Sequence, residues 1–486
     1  MTEGPSRTLV WYRGKDVRLA DHAPLTEAAR SGEVIPVFVV DPYFFDPARA
    51  RELPHRIQYL LDSLVALEKN LAHKGSRLFV ARGRSVEVIP RLAASMNVDR
   101  VVAHRWVEPF ARTRDARVRA ALRVPFDLYE GETLLPPGTL RTGAGTAYSV
   151  FTPFSRAFFA RVHDAEPLPA PRRLPALPAD VGESEAALPT LEELGLARND
   201  ALVTAGEKAA RARLDRFIER VLEGYETDRD RMDRDGTSRL SQDLKFGTIS
   251  IRTVWHAVSA VSSRKSAQKF LTELVWREFS HSTLADRPEL LEKPFRREFE
   301  GFPWRDDARD WDAWTTGHTG YPIVDAAARQ LLGEGFVHNR ARMISASFLT
   351  KHLAQSYRRG EAHYMKYLVD GDWAQNNMGW QWSSGAGCDA QPWFRIFHPV
   401  TQGERFDPDG AYVKRWVPEL AAVPAKFIHH PWDAPPLDLR RWGVTLGEMY
   451  PRPIVDHKLA RERFLALAKA HLGRGGQGED QGDGDR

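Results

Sequence analysis

Short apolar runs alternate with amphipathic stretches along about the first 130 residues of the chain. The apolar runs have the length of buried strands, and the stretches between them, such as 56–74, carry apolar residues at helical spacing. The runs cover residues 8–13, 34–41, 76–83, 98–107 and 126–131. Alternation of strands and helices predicts a doubly wound, mostly parallel sheet with helices on both faces. Ligands of such sheets bind at the carboxyl ends of the strands, but no glycine-rich phosphate motif follows the first run, so an ordinary dinucleotide site is not expected.

The pattern breaks up after this region and then becomes helical. Residues 133–205 are rich in proline and carry little periodicity, which is typical of a connector that runs over a surface. Residues 205–225 are amphipathic, and the segment 321–335 has Pro322 near a helix start and Gly333 near its end. We therefore predict the α/β class, with a Rossmann-like sheet domain followed by an all-helical domain. The predicted parts are a sheet domain over 1–132, a linker over 133–205, a helical domain over 206–474 and a disordered tail over 475–486.

Composition narrows the function more than the fold. Fourteen tryptophans are a high number for 486 residues, which points to a chromophore, to stacked bases or to electron transfer between rings. A net charge of +4 permits a polyanionic partner without demanding one. The single cysteine, Cys388, excludes an intramolecular disulfide and a cysteine-rich metal site. Neither a signal peptide nor an apolar run of membrane-spanning length is recognisable, so we expect a soluble, cytoplasmic protein that does not bind a membrane.

The stretch 370–399 has the most unusual composition. It contains four tryptophans, two phenylalanines and paired asparagines, whereas Ile396 is its only Leu, Ile or Val. Trp and Asn suit a site that stacks a flat ring and hydrogen-bonds its edge, although an aromatic-rich core loop would have the same composition. The opening DGD could suggest calcium, but Ala374 and Gln381 occupy the positions where an EF-hand needs an oxygen ligand and a glutamate. We therefore predict no metal site.

Two polar motifs in the helical half have a structural and a functional interpretation. The segment 236–241, GTSRLS, offers backbone N–H groups, hydroxyls and a cation to a phosphate, but a simple helix N-cap has the same residues. On a helix, Asn339, Arg342 and Met343 share one turn. Because Asn is a poor mid-helix residue, Asn339 should lie near a cap or read a polar edge.

A third motif combines three kinds of side chain on one helical face. Glu273, Trp276 and Arg277 lie at i, i+3 and i+4, so the face presents a carboxylate, a ring and a guanidinium. A surface ion pair beside a half-buried tryptophan is the alternative. No nucleophile–base pair and no histidine-rich metal spacing accompanies these motifs, which favours chemistry carried out by a cofactor.

Taken together and in this order, the motifs resemble those of the photolyase/cryptochrome family. The blocks TGYPIVDAAARQ, HNRARMISASFL, YLVDGDWAQNNMGWQW and PVTQGERFDPDGAYVKRWVPEL are similar to its most distinctive segments, and LVWYRGKDVRLADHAPL is similar to its start. The resemblance covers nearly the whole chain and is strongest to class I and class III enzymes that split cyclobutane pyrimidine dimers. It implies an N-terminal α/β antenna domain and a helical domain that binds FAD.

The resemblance implies which residues bind reduced FAD. Tyr225 and the GTSRLS segment would bind the phosphates and the ribityl chain, and the DGD segment would meet the isoalloxazine and the adenine side. Arg342 would pair with Asp370, and Asn376 lies where the family places the residue that faces flavin N5. Plant photoreceptors of the family carry an aspartate there, so Asn376 favours repair. The implied FAD-binding residues are Tyr225, Thr237, Ser238, Arg239, Leu240, Ser241, Arg342, Asp370, Gly371, Asp372 and Asn376.

The substrate follows from the same resemblance. Photolyases specific for (6-4) photoproducts carry two histidines where this chain has Asn339 and Met343, and DASH-type members usually have tyrosine in place of Trp276. The resemblance therefore implies cyclobutane pyrimidine dimers, with Trp276 stacking on the dimer and Glu273 hydrogen-bonding its edge. The implied catalytic residues are Glu273, Trp276, Asn339, Met343 and Asn376.

UV-damaged DNA is the implied partner. Basic and aromatic side chains would hold its phosphates while the dimer is flipped out of the duplex, a step that is general to photolyases. The implied DNA-binding residues are Arg229, Trp276, Arg277, Asn339, Arg340, Trp382, Arg395 and Gln402. Light absorbed by the reduced flavin would then drive an electron to the dimer. We expect a monomer.

The chain departs from the family pattern in its electron relay and its antenna. Of the three tryptophans that photoreduce the flavin, Trp380 and Trp304 match the inner and outer members, whereas the middle position holds Tyr357. Because tyrosine is harder to oxidise without losing its proton, we expect a slower relay or a detour through Trp373. Glu108 is the one match to antenna-binding residues, and LLEKPF lacks the cysteine of the best-known members. The identity of the second chromophore is therefore open. The alternatives are methenyltetrahydrofolate, a deazaflavin, another flavin and an empty site.

Light-driven repair is the leading functional hypothesis. A cryptochrome-like blue-light photoreceptor that signals through a protein partner is the competing one, and Asn376, Trp276 and Met343 argue against it. A nucleic-acid-binding protein that has lost the flavin is the third, and it is disfavoured because the flavin-binding motifs are intact.

Overall fold

In the computed structural model of this chain, residues 6–164, 166–261 and 265–475 are described. The tail predicted over 475–486 lies outside these residues except for Gly475, with which the last helix ends. The described chain forms two compact units. Unit 1 takes its residues from Met1–Glu226, Thr237–Pro288 and Val369–Ala374, and unit 2 from Thr227–Gly236, Glu289–Leu368 and Gln375–Arg486.

The predicted parallel sheet lies in unit 1. Its strands are β1 (Ser6–Tyr12), β2 (Gly32–Val40), β3 (Phe79–Arg82), β4 (Arg100–His104) and β5 (Phe126–Tyr129). The spatial order is β3-β2-β1-β4-β5, and every neighbouring pair is parallel. The direction of winding therefore reverses between β1 and β4, which confirms the predicted doubly wound fold.

Both faces of this sheet are buried. In β1, Leu9 and Trp11 belong to one hydrophobic cluster, whereas Val10 and Tyr12 belong to another, because alternate residues of a strand point to opposite sides. All four side chains are at most 2% exposed. Burial on both faces explains why the strands are continuous apolar runs in the sequence.

Helices make up most of the remaining regular structure. Up to residue 286 they are α1 (Ala23–Ser31), α2 (Pro42–Phe45), α3 (Pro47–Arg51), α4 (Pro54–His73), α5 (Ser85–Ser95), α6 (Pro109–Ala121), α7 (Phe151–Arg161), α8 (Glu207–Arg216), α9 (Tyr225–Asp228), α10 (Ser241–Phe246), α11 (Ile251–Ser259) and α12 (Lys265–Asp286). Beyond it they are α13 (Ala308–Thr316), α14 (Pro322–Glu334), α15 (Asn339–Ser347), α16 (Tyr357–Tyr367), α17 (Trp373–Ser384), α18 (Pro399–Phe406), α19 (Ala411–Trp416), α20 (Ala425–Ile428), α21 (Pro436–Arg441) and α22 (His457–Gly475). The long helical tract confirms the predicted fold class. Within the described residues, no helix combines the length and the hydropathy needed to cross a bilayer.

The segment 133–205, predicted as an irregular linker, contains the helix α7. Phe154 and Phe158 of this helix are 3% and 0% exposed. Leu174, farther along the segment, is buried in one of the two hydrophobic clusters of the sheet. The sequence pattern missed α7 because frequent prolines on either side of it hide a short stripe of phenylalanines at helical spacing.

Two predicted helices end differently in the structure. The amphipathic segment 205–225 is α-helical only to Arg216 and then continues as a π turn and a 3-10 turn. Helix α14 continues past Gly333 to Glu334, and the cap is Gly335, which has a φ of +60°. Glycine adopts this left-handed conformation without strain, so Gly335 ends the helix and Gly333 does not.

Unit 2 is built from helices around its own hydrophobic cluster. Trp314, Tyr364 and Tyr450 are the largest fully buried rings among its described residues, and Trp380 belongs to the same cluster. The aromatic-rich stretch that follows residue 370 therefore contributes partly to a core, as the structural alternative for it required.

Candidate functional site

Residues 236–241 form the turn that leads into α10. Arg239 has a φ of +54°, which is uncommon for a residue with a side chain, and its carbonyl accepts a hydrogen bond from Gln242 Nε2. The capping position of α10 is occupied by the apolar Leu240, so the interpretation of GTSRLS as a simple N-cap is wrong. The half-buried hydroxyls of the turn belong to Thr237, Ser238 and Ser241. A left-handed turn with several hydroxyls and a guanidinium is a donor set that fits the phosphates of a dinucleotide.

Tyr225, the other residue implied for this part of the flavin site, is buried at the start of α9. Its ring packs edge-on against Phe217 and Phe270, with centroids 5.7 and 5.3 Å away. These contacts fix the position of the phenol within unit 1.

Asp370, Gly371 and Asp372 are all buried in unit 1. Asp372 Oδ2 lies 3.6 Å from Lys15 Nζ and 3.6 Å from His281 Nε2. The carbonyl of Gly371 accepts a hydrogen bond of 3.5 Å from Arg56 Nη1. The DGD segment is therefore anchored by cations from three distant parts of the sequence.

The ammonium of Lys15 lies at the centre of this buried charge cluster. It pairs with Glu108 and Glu132 as well as with Asp372, and Glu132 Oε1 is 3.5 Å from His281 Nε2. Three carboxylates thus surround one ammonium and one imidazole in the interior of unit 1. The short motif RGKD after β1 places Lys15 at the carboxyl edge of the sheet, where ligand sites of such folds are found.

The cluster shifts the pKa values of its members. Burial and the guanidinium of Arg277 act to lower the pKa of His281, but the carboxylates of Asp372 and Glu132 outweigh them and raise it to about 9. Burial acts to raise the pKa of Asp372, but His281 and Lys15 hold it well below its usual range. Both groups are therefore charged at neutral pH.

Among the residues that the structure describes, two groups of side chains have the composition of metal ligands, although the sequence predicted no metal site. One consists of Glu132, His281 and Asp372, where the ammonium of Lys15 already occupies the position of a cation. The other consists of Asp16, His22 and His104, all of which are buried.

The second group has an unfavourable tautomer for a metal. His22 Nδ1 accepts a hydrogen bond from the backbone N–H of Leu25, so the proton of a neutral ring lies on Nε2, which faces Asp16 Oδ2 at 3.9 Å. Burial lowers the pKa of His22 well below its usual range, which keeps the ring neutral. We assign this group to the packing of the sheet edge.

Trp276 and Glu273 lie on one side of α12, as predicted. The indole of Trp276 stacks face to face on Phe151, with ring centroids 3.6 Å apart and planes 5° apart. Both Trp276 and Glu273 are half-buried. Unit 1 therefore presents a partly accessible ring with a carboxylate one turn away.

Arg277 is the next residue of this helix, and its surroundings differ from those expected for its predicted role in DNA binding. It is 6% exposed, and Nη1 donates a hydrogen bond of 2.7 Å to the carbonyl of Glu132. The neighbouring Glu278 accepts hydrogen bonds from the backbone N–H of Leu134. The guanidinium fastens α12 to the chain after β5, so it is buried within unit 1 and does not reach a phosphate outside it.

The side chains of HNRARM lie on α15 in unit 2. His338 caps this helix by accepting a hydrogen bond from the N–H of Arg340, and Asn339 follows as the exposed first residue, close to the cap as predicted. Asn339 Nδ2 lies 3.8 Å from Met343 Sδ, which places the two side chains on one face. Arg342 Nε donates to the carbonyl of Val337 at 2.8 Å, and its pairing with Asp370 stays a prediction.

Asn376 lies on α17, where its Nδ2 donates a hydrogen bond of 3.1 Å to the carbonyl of Glu361. Because Nδ2 makes this bond, Oδ1 is the atom of the amide that can accept a hydrogen bond from another group. The next residue, Asn377, donates to Glu361 Oε1 at 3.0 Å. Burial raises the pKa of Glu361 to about 7. Sequence reasoning missed Glu361 because a glutamate in a helix usually faces solvent.

The predicted electron relay is only partly a chain of touching rings. Trp304 and Tyr357 are 6.4 Å apart between centroids, and burial raises the pKa of Tyr357 well above its usual range. Trp380 lies 5.1 Å from Tyr364 and 6.0 Å from Trp314. Neither of these neighbours was singled out in the sequence. Trp373, the proposed detour, is half-buried in unit 1.

The other predicted DNA-binding residues lie in unit 2 and differ in exposure. Arg340 is half-buried, pairs with Asp230 at 2.8 Å and lies 4.4 Å above the ring of Phe406. Arg395 is exposed, and its carbonyl accepts a hydrogen bond of 2.8 Å from Lys351 Nζ. Half-buried members of the set are Arg229, Trp382 and Gln402.

A cavity of about 410 Å³ lies in unit 1 at the carboxyl edge of the sheet. It combines aromatic with cationic side chains, and Trp373 and Glu108 also line it. The aromatic lining residues include Tyr43, Phe44, Trp106 and Phe110, and the cationic ones include Lys15, Arg56, Arg84, Arg114 and Lys245. Burial and the charge of Lys15 lower the pKa of Lys245 to about 8. From the sequence, only Glu108 was assigned to an antenna site and Trp373 was given a different role, because the other lining residues are spread over segments that were treated as ordinary strands and helices.

Both the sequence and the structure are similar to those of known proteins. Residues 8–172 match the model described as DNA photolyase, and residues 270–470 match the model described as the FAD binding domain of DNA photolyase. A deoxyribodipyrimidine photo-lyase from Agrobacterium fabrum is 42% identical over 474 residues, which is 95% of this chain and 97% of the relative. The structure is similar to a bacterial class III photolyase from Agrobacterium tumefaciens, with a TM-score of 0.91, 39% identity and coverage of 97% and 99% of the two chains. An archaeal photolyase from Sulfolobus tokodaii, solved with two FAD molecules, has a TM-score of 0.80 at 28% identity and covers 96% and 100%.

Proposed function

This chain belongs to the DNA photolyase family, and from that premise we propose that it uses light to split cyclobutane pyrimidine dimers in DNA, with reduced FAD as the electron donor. The observation that carries the proposal is the face of α12, where a half-buried indole and a carboxylate lie one turn apart. A ring of this size suits stacking on a base that has left the duplex, and a carboxylate suits its N–H edge.

The polar residues around the implied flavin position fit FAD. The hydroxyls of the turn at 236–241 and the left-handed Arg239 suit the two phosphates, and the DGD segment supplies acceptors for the N–H groups of the rings. The orientation of Asn376, with Oδ1 as acceptor, suits the N–H that a reduced flavin carries at N5. When bound, the flavin supplies the light-driven electron, and these side chains hold and orient it.

The same family assignment supports a second chromophore in the cavity of unit 1. Its mixture of aromatic rings and cations suits a planar, anionic molecule, which describes methenyltetrahydrofolate, a deazaflavin and a second flavin alike. The two FAD molecules of the Sulfolobus tokodaii protein make the flavin a candidate beside the other two. Extraction of the bound molecules, their absorption spectra and their amounts per chain identify which one is present, and a preparation that carries one FAD per chain and no other chromophore would contradict the proposal.

The electron that photoreduces the flavin is proposed to come from Trp380, which is refilled from Trp304 through Tyr357, with Trp373 as the alternative to the middle member. The raised pKa of Tyr357 supports a slow middle step, because an oxidised phenol must release its proton into buried surroundings. Trp373→Phe tests the detour: unchanged photoreduction in this variant would contradict it.

Repair is tested with the reduced, flavin-loaded protein and an oligonucleotide that carries one thymine dimer. Under blue light the absorbance of thymine should recover, and a dark sample should stay unchanged. Trp276→Ala should weaken dimer binding roughly 5- to 150-fold, because stacking on one base contributes about 1–3 kcal/mol. Glu273→Ala should lower recovery as well, whereas Glu219→Ala, which removes an exposed carboxylate, should leave it unchanged.

Absence of recovery from a fully reduced sample would contradict the repair function. A blue-light photoreceptor would then be the function to test, through light-dependent binding of protein partners.

A further inference from the structure

Phe151 and Trp276 form a very close ring pair among the described residues of unit 1. Their centroids are 3.6 Å apart and their planes differ by 5°, so the two rings overlap face to face at van der Waals distance. Aromatic pairs in proteins more often take offset or edge-on arrangements at 4.5–7 Å. Such a full overlap holds the indole in one plane.

The surroundings of Phe151 fix it in turn. Phe279 packs against the edges of both rings, with centroids 5.9 Å from Phe151 and 6.0 Å from Trp276. Phe151 begins α7, and this helix is anchored by Phe154, whose ring centroid is 4.9 Å from that of Phe279. Phe151 is therefore part of a rigid aromatic group and not a mobile surface side chain.

The stack covers one face of the indole. Phe151 is 8% exposed, whereas Trp276 is half-buried, so the accessible area of Trp276 lies on the face opposite Phe151 or along its edges. Glu273 lies one helical turn before Trp276 on α12 and is half-buried as well.

We propose that Phe151 is a positioning residue for damage recognition, which holds the plane of Trp276 so that the face opposite Phe151 receives the flipped dimer. The inference rests on the proposed repair function, because it takes Trp276 as the ring that the dimer contacts. A ring that is already fixed in the bound orientation loses little conformational entropy when the substrate stacks on it, and this preorganisation increases affinity.

The test compares substitutions that keep or remove a flat ring at position 151. In Phe151→Leu the side chain stays apolar and of similar size but no longer stacks, whereas Phe151→Tyr keeps the ring. Phe159→Leu is the matched control, since Phe159 lies on the same helix but pairs with Phe158 and Trp255. The flavin-loaded full chain is titrated in the dark with a fluorescent oligonucleotide that carries one thymine dimer and with the undamaged oligonucleotide.

Phe151→Leu should raise the Kd for the damaged oligonucleotide roughly fivefold and leave the Kd for the undamaged one unchanged. Phe151→Tyr and Phe159→Leu should both stay close to the wild type. In a Trp276→Leu background, Phe151→Leu should have no further effect, because the ring that it positions is absent. A merely structural role would change both Kd values together and would persist without Trp276.

An unchanged or lower Kd of Phe151→Leu for damaged DNA would overturn the inference, since the stack would then be neutral or would block the substrate face. If Phe151→Leu does not fold, Phe151→Met provides the same comparison with a more flexible side chain, and thermal unfolding of each variant checks its integrity. If the wild type itself does not prefer damaged DNA, the proposed function fails and the inference fails with it. If Trp276→Leu loses the preference but Phe151→Leu keeps it, only the inference fails.

Discussion

Two buried carboxyl groups, one in each unit, differ in the groups that surround them and in the direction in which their pKa is shifted. Asp372 in unit 1 lies among Lys15 and His281, which hold its pKa well below its usual range despite burial. Glu361 in unit 2 is hydrogen-bonded to the neutral amide of Asn377, and burial raises its pKa to about 7. Equal burial therefore gives a permanent charge in one place and a titrating group in the other. The difference shows that the neighbours, and not depth alone, decide the charge of an interior carboxyl.

The largest effect is expected from Lys15→Met. The substitution keeps the length of the side chain but leaves Glu108, Glu132 and Asp372 without their shared ammonium. Removal of one partner from a buried ion pair costs about 3–5 kcal/mol, so the free energy of unfolding should fall by that amount. Urea denaturation measures it, with Lys69→Met on the exposed surface of α4 as the control. A loss as small as that of the control would mean that the three carboxylates accept protons or other partners instead.

Glu361→Gln should change how stability depends on pH. The folded chain keeps the proton of Glu361 up to pH about 7, whereas an unperturbed glutamate releases it near 4.5. The folded state thus binds more protons than the unfolded state in this window, and the free energy of unfolding falls as the pH rises through it and levels off above it. Glutamine removes this term, so the variant should lose about 2 kcal/mol less than the wild type between pH 5 and pH 8.

Denaturation midpoints at four pH values between 5 and 8 measure this difference, and Glu219→Gln serves as the exposed control. Parallel curves for the wild type and Glu361→Gln would show that Glu361 is ionised in the folded protein. The contrast with Asp372 would then disappear. Asp372 itself has the opposite sign, since its stabilising contribution is present above pH 3.8 and is lost as the pH falls towards its lowered pKa.

A smaller effect is expected from Asn377→Leu. The amide donates to Glu361 Oε1 and to the carbonyl of Leu290, at 3.0 and 2.9 Å, and leucine fills its volume without donating. Loss of these bonds should destabilise the protein by about 1–2 kcal/mol and raise the pKa of Glu361 further, because its charged form loses a donor. The pH window of the stability change should therefore move upward, whereas Gln268→Leu on α12 should leave it in place. A downward shift would contradict the assignment of the amide as the donor.

The sequence predicted the elements whose signals are local. The apolar run that became β1 was recognisable because Leu9, Val10, Trp11 and Tyr12 are all buried, and a strand covered on both faces needs an apolar residue at every position. The helix α7 was missed because prolines around it suggested a connector. Phe151, Phe154 and Phe158 are spaced for one helical face, but a stripe so short is easily hidden.

The candidate site was predictable only through motifs that resemble a family. The members of the buried charge cluster come from four distant segments and include Lys15, Glu132, His281 and Asp372. In the sequence, each of them alone resembles a charged residue of the protein surface. Their assembly depends on long-range packing, which no local pattern encodes. Arg277 shows the converse error: its position beside Trp276 suggested DNA binding, but the structure uses its guanidinium to hold the carbonyl of Glu132.

Unit 1 is built from three separate segments of the sequence, and this constrains when it can be completed during synthesis. Synthesis runs from the amino terminus, so the sheet and α12 leave the ribosome well before Val369–Ala374, the last segment that unit 1 needs. Until then Lys15 and His281 lack the carboxylate of Asp372, and their partners in the cluster are Glu108 and Glu132. Asp372 therefore joins the buried charge cluster only late in synthesis. The nascent unit can settle into its final form only after the intervening residues 289–368 have been translated, so the maturation of the amino-terminal half is timed by the carboxyl-terminal half.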